Sequence, residues 1–229
     1  MRKMIFFLVS FGVLSAETLI NEPFKTLDTW QSVKFEKIDK LSTYTIIPAG
    51  LLLESNNSAS ALRLKGAYDV EAFPKLSFEW QTTVCHIDGD AKSKSGDDAP
   101  IRLYVAWEYT PETANWFEAL VYETLKLFYG EYPPKAVLNY VVTAKALNDA
   151  HFNSPYTDKV KIVPLDSCET NLGEVKRHTV NIIEDYRRFF GQMPQGKATL
   201  GVMADSDNTH GKTSAIISYI RLESDEAKH

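Results

Sequence analysis

The chain lacks the motifs by which many chemistries announce themselves. It has no G-x-S-x-G, no H-E-x-x-H, no phosphate-cradling glycine loop and no C-x-x-C, so no catalytic signature fixes an activity. It also lacks positive charge: 25 Lys and Arg stand against 30 Asp and Glu, a net charge of −5. No basic stripe is present to neutralise phosphates, which argues against a nucleic-acid partner. Internal repeats, low-complexity linkers and breaks in composition are missing too, so one domain is the simplest organisation. Cysteine is nearly absent, with only Cys85 and Cys168. In an oxidising compartment they could join into one disulfide, and elsewhere they would be two buried thiols.

The N-terminus reads as an export signal. Arg2 and Lys3 precede an apolar stretch, Met4 to Leu14, and the small residues Ser15 and Ala16 follow. The stretch falls short of the roughly 20 residues a spanning helix needs. No cysteine follows it to carry a lipid, and cleavage near residue 16 is expected, although neither nearby site is an ideal A-x-A. An uncleaved anchor is the rival reading. Removing residues 1–16 leaves 23 basic against 30 acidic residues, a net charge of −7. The mature chain is then expected in the periplasm or outside the cell, with no stable membrane span.

The rest reads as a single, mostly β domain over residues 22–224. Strands are predicted at Thr43 to Ile47, Gly50 to Glu54, Ala61 to Lys65, Leu76 to Val84, Ile101 to Tyr109, Val137 to Thr143, Val160 to Leu165 and Thr179 to Ile183. Two more flank Asp205 to Gly211 within Thr199 to Leu222. The alternation of Leu76, Phe78, Trp80, Thr82 and Val84 marks one buried face. One amphipathic helix is predicted from Thr110-Pro111-Glu112 to Phe128, and a shorter one from Glu184 to Phe190 ended by Gly191. Many short strands with an inserted helix predict a β-sandwich of jelly-roll type, and the last strand after its polar loop resembles the closing strand of galactose-binding-like carbohydrate modules. Trp30, Trp107, Trp116 and Tyr140 could stack on a sugar, but such aromatics are more often core.

Three polar clusters could carry chemistry. His86, Asp88 and Asp90 share a face if extended, as divalent-metal ligands do, but a solvated hairpin loop fits better. Asp97 and Asp98 precede Arg102, which faces away from Ile101 and Leu103, so an ion-pair network could shape a site at a strand mouth. Asp205, Asp207 and Asn208 offer hard oxygens suited to calcium, the only cofactor the pattern suggests. As an EF-hand the match fails, because glycine falls one place late and Ile216 stands where glutamate belongs. Asx-turns in a last hairpin explain the same letters.

Five segments occur in one order: Leu76-Ser77-Phe78-Glu79-Trp80, Gly96-Asp97-Asp98-Ala99-Pro100-Ile101-Arg102, Leu138-Asn139-Tyr140-Val141, Asp185-Tyr186-Arg187-Arg188-Phe189-Phe190-Gly191, and Gly201 to Thr209. Together they resemble the bacterial domain-of-unknown-function 3047 family, from about Phe24 to Leu222. The resemblance implies export and no established activity. Phe78, Ala204 and the Ile217-Ser218-Tyr219 run depart from the family pattern.

The candidate ligand-binding set is therefore Asp97, Asp98, Arg102, Asp185, Asp205, Asp207 and Asn208. A module binding a glycan or another polyhydroxylated ligand is favoured over an enzyme. The alternatives are a glycan-active hydrolase using the acidic pairs and a structural scaffold that binds another protein. Of Asp98, Arg102, Asp185 and Asp207, at least Asp98, Arg102 and Asp207 are expected to converge in one open cleft.

Overall fold

The computed structural model describes residues 16–35, 38–109, 111 and 132–225. The amphipathic helix predicted over 110–128, with its Trp116, lies outside these residues, as do residues 1–15 of the export signal. Two sheets form a β-sandwich of jelly-roll type. One runs β11 (Val175–Asn181), β6 (Lys75–His86), β13 (Lys212–Glu223), β4 (Gly50–Asn56) and β3 (Thr43–Ile47), with β1 (Thr18–Glu22) also on β13. The other runs β2 (Trp30–Val33), β5 (Ala59–Leu64), β12 (Ala198–Asp205), β7 (Ala99–Trp107), β8 (Ala136–Thr143), β10 (Thr157–Ser167) and β9 (Phe152–Ser154). All described strand pairs are antiparallel except β8 with β10. Sequence reading placed most of these strands within a few residues and missed the short β1, β2 and β9.

Period-two alternation builds the core. Leu76, Phe78 and Trp80 of β6 meet Ile101, Leu103, Val105 and Trp107 of β7, Leu138 and Tyr140 of β8, and Leu200 and Val202 of β12. Trp30, Trp107 and Tyr140 are all buried in this layer, so none presents an open stacking surface. The helix Ile182–Phe190 starts where Asn181 Oδ1 accepts from the amides of Ile183 and Glu184, and stops at Gly191, whose φ is 73°. It buries Ile182, Tyr186 and Phe189.

Three connections cross from sheet to sheet at one end: β4 to β5, β6 to β7, and β12 to β13. The expectation of hairpins at 86–98 and in the last two strands is thereby corrected. The flanking strands do not pair with each other but belong to opposite sheets. The arches are fastened together. Ser206 Oγ lies 2.7 Å from Ser55 Oγ and accepts from the Asn57 amide, and the Ser206 amide donates to Ser58 O at 3.0 Å. Close backbone approach demands glycine at two points. A Cβ on Gly211 would lie 2.1 Å from His86 O, and one on Gly89 would lie 2.5 Å from Gly96 Cα.

Two ties hold the sheets at the other flank. Cys85, near the end of β6, is bonded to Cys168, just past β10, across 83 residues. A bulge between Pro164 and Asp166 resets the alternation of β10. Asp166 thereby reaches the opposite sheet, accepting from Trp80 Nε1 at 2.7 Å and lying 2.6 Å from His178 Nε2. Burial opposes its charge, but these bonds outweigh it and hold the carboxyl below its usual range.

A closed loop of this length restricts the unfolded chain strongly. Cys85→Ser is expected to lower the unfolding free energy by about 2–4 kcal/mol in urea titration, and a reductant should reproduce the loss in the unaltered chain.

Candidate functional site on the outer face of the seven-stranded sheet

The residues of this sheet that do not face the core form a second surface. Register sets them in rows. Arg63, Gly201, Tyr104, Asn139 and Ile162 are successive partners across β5, β12, β7, β8 and β10. One pair further along, Ala61, Met203, Arg102 and Val141 are partners across β5, β12, β7 and β8. A cavity of about 550 Å³ lies on this surface. Phe35 and Ile38 line it beyond β2, Ser154, Tyr156 and Thr157 line it from the β9–β10 turn, and Arg102, Tyr104, Asn139, Met203 and Asp205 lie between.

Arg102 organises the floor. It is 3 % exposed. Its Nε donates to Asp205 Oδ1 at 2.9 Å, and its Nη2 donates to Asp205 Oδ2 at 3.1 Å, to Asp97 Oδ1 at 2.9 Å and to Asp97 O at 2.7 Å. Asp205 Oδ1 also accepts from the Ala99 amide at 3.0 Å. Burial works against the guanidinium charge, yet Asp205 and Asp97 outweigh it and hold Arg102 above its ordinary value. Burial pushes the Asp205 carboxyl up to about 7 against the pull of Arg102, with Asp97 and Asp98 adding repulsion.

Asp98 serves a different purpose. Its Oδ1 accepts from Asn208 N at 3.1 Å and Asn208 Nδ2 at 3.3 Å, and its Oδ2 from Thr209 N at 2.7 Å and Thr209 Oγ1 at 2.6 Å. It clamps the last arch to the one before it. Asp207 is half-buried at the cavity, and burial raises its carboxyl, with further repulsion from Asp98. Carboxylate oxygens of Asp98, Asp205 and Asp207 lie within 4.8 Å of one another. The donor set does not suit a divalent ion, because Asp98 is saturated and Asp205 is taken by Arg102 and the Ala99 amide. Asp207, whose carboxyl accepts from its own amide, adds too few oxygens for calcium, which takes roughly 6–8.

The structure thus gathers Asp97, Asp98, Arg102, Asp205, Asp207 and Asn208, and leaves Asp185 elsewhere. Asp185 sits on the helix and accepts from Tyr140 Oη at 2.8 Å. Tyr140 points into the core while its neighbour Asn139 points out, so the sheet itself separates Asp185 from the cavity. The first cluster also disperses: Asp88 meets Lys145 in solvent, and Asp90 Oδ1 accepts from the Lys92 amide in a turn.

Sequence reasoning missed Asn139, Tyr104, Met203 and Tyr156. Asn139 is the decisive omission. It is 2 % exposed, and its Oδ1 has no hydrogen-bond partner among the described residues. A lone amide inside the apolar run VLNYVV was the available signal.

The family described as "Protein of unknown function (DUF3047)" matches residues 28–221. The chain belongs to that family. No curated protein matches it. Among solved structures, the family 11 carbohydrate-binding module of cellulosomal cellulase Lic26A-Cel5E of Clostridium thermocellum is 12% identical. That comparison covers 95% of this chain and 99% of the module, at a TM-score of 0.45. The Lotus tetragonolobus seed lectin is 11% identical over 93% of this chain and 100% of its own, at 0.46. Likenesses at these TM-scores carry no argument about the site. The DUF3047 site has to be read from its own geometry.

Removing the guanidinium would leave buried carboxylates without a counter-charge. Arg102→Leu is expected to cost about 3–5 kcal/mol at pH 8. Because the Asp205 value lies above the ordinary carboxyl range, its protonation favours the fold. That contribution is fully present below about 4 and fades as pH rises through about 7. The cost of Arg102→Leu should therefore shrink at pH 5, as read from denaturant midpoints at the two pH values.

Proposed function

We propose that this protein is an exported binding module whose outer-sheet cavity takes a glycan or another polyhydroxylated ligand. The observation that carries the reading is Asn139 Oδ1, a buried acceptor without a partner among the described residues, on a residue that lines the cavity. A buried polar group left unpaired costs about 1–3 kcal/mol, so its retention wants an explanation outside the fold. A ligand that brings donors supplies one. The surroundings suit a sugar: Ile38, Met203 and Ile162 offer apolar surface, while Tyr156, Asn208 and Asp207 offer polar atoms. The Cys85–Cys168 bond supports an oxidising compartment, periplasmic or outside the cell.

A hydrolase is the second reading, and the closeness of Asp205 and Asp207, with Asp205 raised to about 7, favours it. A retaining glycosidase separates its carboxyls by about 5–5.5 Å. Here Asp205 would first have to leave Arg102 and the Ala99 amide, which makes binding the better account.

Asn139→Leu separates function from stability. It should leave the melting temperature unchanged or raise it, since an unpaired buried acceptor is removed. Calorimetric titration with cell-wall and exopolysaccharide fragments should show about tenfold weaker binding by the variant. No binding of any fragment by the unaltered protein would overturn the proposal.

A further inference from the structure

Chemically, the cavity is lopsided. Three carboxylates line it, those of Asp97, Asp205 and Asp207, against one guanidinium. That guanidinium is already committed to Asp97 and Asp205 through Nε and Nη2. The Asp207 carboxylate has no ion pair among the described residues and faces the cavity half-buried. Asn139 Oδ1 adds a second acceptor without a partner. At the rim, Lys94 Nζ stands 5.5 Å from the Tyr156 ring centroid, and the Tyr156 hydroxyl donates toward Asn208 Oδ1 at 3.4 Å and Lys94 O at 3.2 Å. Acceptors and negative charge therefore dominate the unsatisfied groups. A neutral sugar hydroxyl both donates and accepts, and leaves the negative charge unbalanced. An ammonium offers three donors and no acceptor, and a charge-assisted bond to a carboxylate is about twice as strong as a neutral one.

We propose that the ligand is an aminated glycan, a glucosamine-type residue with a free amino group. Its ammonium sits on the Asp207 carboxylate, and its neighbouring hydroxyl donates to Asn139 Oδ1. This rests on the reading of the cavity as a glycan site and narrows the class of glycan. A peptide lysine or a simple diamine would satisfy Asp207 but would leave the apolar walls formed by Ile38, Ile162 and Met203 without a sugar face to cover.

The test is calorimetric titration with four probes: a glucosamine tetramer, its fully N-acetylated twin, cellotetraose and 1,4-diaminobutane. The aminated tetramer should bind about tenfold more tightly than its acetylated twin or the diamine. Asp207→Asn should abolish most of that preference, so that the aminated tetramer and its acetylated twin bind the variant about equally. Asp207 takes part in no clamp between arches, so an unaltered melting temperature is expected for this variant. Equal or tighter binding of cellotetraose or the acetylated tetramer would overturn the amine assignment and leave the glycan site standing. Equal binding of the diamine would overturn the sugar part. Failure of all three oligosaccharides to bind would remove the glycan reading and this inference with it.

Discussion

The fold at the end where the arches cross depends on one buried charge. Arg102 stands on the outer face of β7, away from the core that its neighbours Ile101 and Leu103 fill. Burying a guanidinium costs several kcal/mol unless its donors are met. Asp205, at the end of β12, and Asp97, at the end of the β6–β7 arch, meet them from two different connections. The requirement to neutralise one cation thus fixes where β12 stops and where the preceding arch must arrive. Asp98 then reaches the last arch through Asn208 and Thr209, and Ser206 reaches β4 and the β4–β5 turn. Each tie depends on the previous one holding its strand in register.

This chain of dependence explains what was legible in sequence. Alternation in Leu76 to Val84 and in Ile101 to Trp107 reported the core face directly, because burial on one side of a strand writes a period of two. Arg102 opposite Ile101 and Leu103 was readable for the same reason, and so was its partnership with nearby Asp97. The arches were not readable as arches. Six residues between β12 and β13 serve equally well to turn back within a sheet or to cross between sheets, since both need polar groups and a glycine. What decides is the partner of each strand, a long-range property that local letters do not encode. Asp185 illustrates the converse: its segment belongs to the same family pattern, yet one residue of strand phase puts Tyr140 and Asp185 on the far side from Asn139.

Two faces of one sheet also explain why the site residues were missed. Every residue of β8 and of β12 is buried, so both strands read as continuous core. On a sandwich, the outer face is ordinarily solvated and polar. Here Phe35 and Ile38 on one flank, and Phe152 and Ile162 on the other, shield the outer face of the central strands. Apolar cover makes Met203, Ala61 and Val141 look like interior residues. Asn139 and Arg102 remain as the polar exceptions, and exceptions of that kind are where sequence-level consistency gives way to function.

The two exceptions differ in a way that assigns them different work. Arg102 spends Nε and Nη2 on Asp205 and Asp97, so it works within the protein: it holds β7, β12 and an arch together. Asn139 has a neighbour on each side, Tyr104 and Ile162, and neither satisfies its carbonyl oxygen. The Tyr104 hydroxyl is directed to Met203 Sδ instead, at 3.3 Å. A leucine at position 139 would continue the apolar run of β8 and match Ile162 beside it, so the fold offers no reason for an amide there. On the proposed reading, a ligand donor supplies the reason. Asp207 repeats the pattern at the cavity, a carboxylate beside a cation that other groups have already claimed. Completed bonds in this region belong to the scaffold, and the unfinished ones are what the proposed ligand would complete.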